Sequence, residues 1–188
     1  MARKFTFSPG IFFAIAIVLL VLPFRWVFAM AIAALVHELF HLLALYLCKE
    51  MPLNASIYAG VAMIRIPEMS RKKELFCSLA GPIGSMLLLF FAPWIPRIAI
   101  CAALQSSYNL LPIYPLDGGR ALSCLLSMVL PPPKANTVLQ YFENGVLAAV
   151  LLLGAYGSFV LELGLLPLIV AITLYFRTKS GKILAKKL

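Results

Sequence analysis

Apolar residues along this chain run in blocks rather than in alternation. The longest blocks cover about 9–24, 26–48, 75–93, 97–115, 141–157 and 160–177. About 20 mostly apolar residues are needed to cross a bilayer core, so the six blocks predict six transmembrane helices. Tight connections fall at Arg25, at the Pro93–Pro96 pair and between Gly157 and Glu162. Residues 55–66, ASIYAGVAMIRI, are apolar but too short to span, and are rich in β-branched and aromatic residues around Gly60. They predict a short re-entrant β-hairpin or an interfacial loop, since irregular backbone at membrane depth needs protein or water to satisfy it. Residues 121–130 predict a short helix stopped by Pro131–Pro133. The fold class expected is an all-α membrane protein forming a single domain over 1–188.

Composition agrees. Hydrophobic residues make up 63% and charged residues 12% of 188, against about half and a quarter in soluble domains. Mean hydropathy is +0.99. A water-soluble enzyme, a disordered regulator and a disulfide-rich secreted module are excluded. An N-terminal run from Ile11 to Leu22 after Arg3 and Lys4 invites a signal-peptide reading. Cleavage after Ala29–Ala31 would fall inside the next apolar block, so the run is read as a span. The net charge of +9 does not point to nucleic acid, because no basic stripe is interleaved with stacking aromatics. With six spans and an inside N-terminus, all Lys and Arg except Arg25 and Arg97 fall on one side, which predicts cytoplasmic termini. Cys48, Cys77, Cys101 and Cys124 form no CxxC pair and read as small core residues.

The candidate chemistry lies in the second span. His37, Glu38 and His41 spell HELFH and include both histidines of the chain. Positions 37 and 41 lie about 40° apart around a helix, one turn up, so both imidazoles share a face. Glu38 stands beside the first, placed to take a proton from metal-activated water. Zinc in a catalytic site takes three protein ligands and keeps one position open. Asp117, the only aspartate, lies in NLLPIYPLDGGR (109–120) at the end of the fourth span. Pro112 and Pro115 break that helix, and Gly118–Gly119 are expected to let the backbone turn. A helix cap is the competing role for Asp117. Gly84–Ser85 reads as small-residue helix packing, and Glu143 as an acidic start to the fifth span.

HELFH, SLAGPIGS (78–85) and NLLPIYPLDGGR, in that order, resemble the site-2 protease family of intramembrane zinc metalloproteases. The resemblance covers about 26–125, the expected catalytic core, and among family branches is nearest the stage IV sporulation protein FB subgroup, with neither a PDZ nor a CBS domain in 1–188. It implies one zinc ion held by His37, His41 and Asp117, with Glu38 as general base. Asn109 and Pro115 are implied to shape the substrate groove. Gly60 and Val61 are candidates for holding an unwound substrate by strand addition, from the reading of 55–66 as an exposed edge. The expected activity is hydrolysis of a peptide bond in or near a membrane segment of a protein substrate, such as a sporulation sigma-factor precursor. Membrane regulatory proteins are possible partners, and the expected location is the bacterial cytoplasmic membrane. The rival readings are a membrane metal transporter or sensor using the same residues, and an inactive relative that binds a membrane partner; Glu38 argues against the first, because transport needs no base.

Overall fold

The computed structural model describes residues 22–50, 54–58, 61–65, 69–162 and 164–186. The predicted first span, up to residue 21, and Gly60 lie outside them. The chain divides into two compact units, Met1–Tyr108 and Asn109–Leu188.

In the first unit, α1 runs Phe24–Leu47, preceded by Pro23. Its 24 residues contain no Gly or Pro and are apolar almost all round, a composition suited to lipid rather than water. Lys49 ends it in the left-handed region at φ 58°. The Lys49 N–H bonds the Tyr46 carbonyl and the Glu50 N–H the Leu45 carbonyl, each at 3.0 Å. That is a Schellman ending with lysine where glycine is usual. The strands β1 (Asn54–Tyr58) and β2 (Val61–Arg65) pair antiparallel, Tyr58 opposite Val61 and Asn54 opposite Arg65.

Helix α2 (Arg71–Leu87) continues into a 3-10 turn at Leu88–Phe91, and α3 covers Pro96–Asn109. Small side chains let these helices approach closely, as membrane helices require in the absence of a strong hydrophobic drive. Ala29 and Ala33 pack with Cys101 and Ala102, and Ala44 and Leu45 with Cys77 and Ala80. A Cβ added at Gly84 would land on the Phe40 ring. The Ser106 hydroxyl donates to the Pro82 carbonyl at 3.1 Å, tying α3 to α2.

In the second unit a non-helical turn over 110–116 leads into α4 (Asp117–Val129), α5 (Pro132–Phe159) and α6 (Leu166–Lys186). Gly154 packs against Ala171 and the Pro167 carbonyl, where a Cβ would sit 2.9 Å from each.

Among the described residues, three helical segments are long and apolar enough to cross a membrane: Phe24–Leu47, Arg71–Phe91 and Pro132–Phe159. Leu166–Phe176 is apolar but shorter. The fourth predicted span resolves into a helix of 14 residues ending at Asn109, about 21 Å long against the roughly 30 Å of a bilayer core. The fifth predicted span begins nine residues earlier than expected. Pro131–Pro133 end α4, as anticipated, but Pro132 and Pro133 also open α5, where proline's fixed φ suits the first turn. Glu143 therefore lies mid-helix and not at a helix start. Gly118 and Gly119 are likewise inside α4 and not in a turn.

Candidate metal centre

His37 and His41 are brought together on the inner face of α1. His37 is buried at 2% exposure and His41 is half-buried. Their Nε2 atoms lie 3.2 Å apart. Each Nδ1 is held from α2: that of His37 lies 3.0 Å from the Ser85 hydroxyl, and that of His41 2.7 Å from the Cys77 carbonyl oxygen. The two anchors lie about two turns apart along α2, so that one helix holds both rings.

The partner of His41 fixes its tautomer. A backbone carbonyl only accepts, so a neutral His41 carries its proton on Nδ1 and offers a lone pair at Nε2. Ser85 both donates and accepts, so it can hold His37 in either tautomer, including the one with an Nε2 lone pair. Anchoring of the outer nitrogen is how metal-binding imidazoles are usually oriented. The spacing fits as well. With zinc–nitrogen bonds of about 2.0–2.1 Å, two nitrogens 3.2 Å apart subtend about 100° at the ion, close to tetrahedral.

Gly81 makes room for this arrangement. A Cβ there would land on His41 Nε2 and come within 2.7 Å of Cδ2 and Cε1. Glu38 is exposed and leaves α1 about 100° from His37 and 60° from His41, on the flank that both imidazoles adjoin.

In the second unit, Asp117 is half-buried and is the first residue of α4. Pro115 follows a cis Tyr114–Pro115 bond in the turn before it. The turn and the helix start are packed without a gap. A Cβ at Gly118 would land on the Leu110 carbonyl, and one at Gly119 on the backbone of Ile113 and Tyr114. Asn109, half-buried, closes α3. Val61 is the first residue of β2, paired with Tyr58.

Two residues were misjudged from sequence. Ser85 is a histidine anchor and not merely a packing residue, although its place in SLAGPIGS, seven residues after Ser78, marks a polar stripe on an apolar helix. Glu143 is buried at 1% exposure, and its Oε1 accepts the Tyr114 N–H at 2.9 Å. A glutamate between Phe142 and Val146–Leu147 in an apolar helix was the available signal.

The fold and the histidine pair together describe a helical protein of membrane type whose paired imidazoles could hold a metal ion. The fold is similar to that of the Site-2 Protease from Methanocaldococcus jannaschii, with a TM-score of 0.66 and 17% sequence identity over 92% of this chain and 85% of that chain. No family model matches this sequence, and neither does any curated protein sequence.

Proposed function

We propose that this protein is an intramembrane metalloendopeptidase of the site-2 protease type, in which His37, His41 and Asp117 hold one divalent ion and Glu38 is the general base. The observation that carries the reading is the pair of imidazoles with Nε2 atoms 3.2 Å apart, each fixed through Nδ1. The similarity of fold to a site-2 protease supports it. Two imidazoles and a carboxylate suit zinc.

The chemistry such an ion supplies when bound is polarisation of a carbonyl and acidification of a water. The chain supplies the rest. Ser85 and the Cys77 carbonyl hold the imidazoles in one orientation. Glu38 removes a proton from the water that adds to the scissile carbonyl carbon, and returns it to the amide nitrogen as the C–N bond breaks. The products are a carboxylate and an amine. Because the histidines sit within a helix long and apolar enough to span, the substrate is a protein segment in or near the membrane. A helical substrate has its backbone groups internally bonded and must unwind to be cut. β2, the Val61–Arg65 strand, offers an edge for its freed N–H and C=O groups, and Asn109 and Pro115 are assigned to shaping the substrate groove. With six spans, the distribution of Lys and Arg would put both termini on the cytoplasmic side.

The deciding experiment is Glu38→Gln. The variant keeps stoichiometric zinc but loses cleavage of a membrane-segment substrate by at least about 100-fold, because the ligands remain and the base does not. Undiminished turnover refutes the mechanism. Metal-driven transport by the same variant at the wild-type rate, with no cleavage by either protein, favours a transporter.

A further inference from the structure

Glu143 has no part in the mechanism above, yet a carboxylate in the middle of an apolar helix is costly to keep. It is 1% exposed, and its Oε1 takes the Tyr114 N–H at 2.9 Å. That N–H belongs to the non-helical stretch between α3 and α4, where the backbone must be satisfied locally. Over 110–116, Pro112 and Pro115 have no N–H, while Ile113 donates to the Leu111 carbonyl at 2.7 Å and Leu116 to the Ile113 carbonyl at 2.8 Å. Tyr114 finds its acceptor on α5. From the other side, Gly118 and Gly119 press the start of α4 against Leu110 and against Ile113–Tyr114. Asp117 is thus held between two fixed points: the glycine contact immediately after it, and the Tyr114–Glu143 bond three residues before it.

We propose that Glu143 is a positioning residue for Asp117, holding the 110–116 turn through the Tyr114 N–H so that the Asp117 carboxylate is presented in one conformation for metal binding. The proposal rests on the reading of Asp117 as a metal ligand. The role requires an acceptor at that point and not a charge. Glutamine, which keeps Oε1 as an acceptor, should therefore replace it, whereas methionine, similar in size and at ease in a membrane helix, should not.

The test measures zinc affinity by chelator competition, with the thermal melting of the metal-free protein, on the full chain in detergent. The variants are Glu143→Met, Glu143→Gln and Asp117→Ala. Glu143→Met is expected to melt near the wild type and to bind zinc about 10–100-fold more weakly, the usual cost of losing a group that orients a metal ligand. Glu143→Gln should bind within about threefold of wild type, since its acceptor survives. Asp117→Ala should lose more affinity than either. A folded Glu143→Met with wild-type affinity, alongside an Asp117→Ala that has lost zinc, overturns the role of Glu143 and leaves the ligand assignment standing. Equal losses in the Met and Gln variants overturn the acceptor mechanism. An Asp117→Ala variant with undiminished affinity overturns the ligand assignment, and the proposal with it.

Discussion

Gly81→Ala separates the metal site from the stability of the helix pair. The added methyl carbon would land on His41 Nε2 and lie 2.7 Å from Cδ2 and Cε1. Ordinary carbon contacts are about 3.5–4.0 Å, so the ring must retreat by more than about 1 Å. It cannot do so without lengthening its 2.7 Å bond to the Cys77 carbonyl, one turn earlier on the same helix. Parting the helices instead would open the packing of Ala44 and Leu45 on Cys77 and Ala80. Either response takes His41 Nε2 out of the 3.2 Å relation with His37, whereas metal–ligand distances tolerate only about 0.2 Å. A zinc affinity loss of about 100-fold, or 2.7 kcal/mol, is expected. Overpacking should cost about 1–3 kcal/mol of stability, offset by about 1 kcal/mol of improved helix propensity. The melting temperature of the metal-free protein should therefore fall only modestly. Gly145→Ala is the control, because nothing among the described residues lies within 4 Å of its Cβ position in α5. It should gain about 0.5–1 kcal/mol and leave zinc affinity unchanged. Chelator competition and thermal unfolding in one detergent give both readouts. A Gly81→Ala protein with wild-type zinc affinity refutes the packing argument and the placement of His41.

Ser85→Ala should weaken zinc binding by about 10-fold with the fold intact, since His37 loses the group that orients its ring; unchanged affinity in a competition titration would mean the contact is incidental. Proline at 61 and proline at 62 should differ in effect, because successive N–H groups on a strand point to opposite edges, one into the pairing with β1 and one to the open side. With zinc content unchanged in both, only the variant blocking the open edge should slow cleavage of a helical substrate while sparing a short unstructured peptide. Equal effects on both substrates would argue against strand addition.

What could be read from the sequence depended on whether the signal was local. HELFH needs only one turn of helix to bring its histidines to one face, and that spacing is carried by any uninterrupted helix through Phe24–Leu47. The ends of the apolar helices were less legible. The first nine residues of α5, PPKANTVLQ, carry Lys134, Asn136, Thr137 and Gln140, so a reading of apolar blocks starts the helix at Tyr141 and makes Glu143 a helix start. Gly118 and Gly119 suggest a turn from sequence because glycine permits one. Their actual task, close approach to the carbonyls of Leu110 and Ile113, depends on a neighbour that no local pattern names. Ser85 is visible as part of a polar stripe, but its role is not, since its partner is 48 residues away.

The small residues of SLAGPIGS link these observations. In a membrane, helices gain little from hiding leucine from lipid, so close backbone approach is the available source of packing energy. Close approach also brings a helix backbone within reach of a side chain on the next helix. The Cys77 carbonyl can accept from His41 only because Gly81, one turn on, leaves the ring somewhere to lie. Gly84 does the same for Phe40, one residue before His41. The residues that hold α1 to α2 are thus interleaved with those that aim the imidazoles: Ala80 packs beside Gly81, and Gly84 precedes Ser85. A larger residue at Ala80 would act on packing first and on the metal site second. One at Gly81 would act in the reverse order, and that difference follows from which side chain of α1 each position faces.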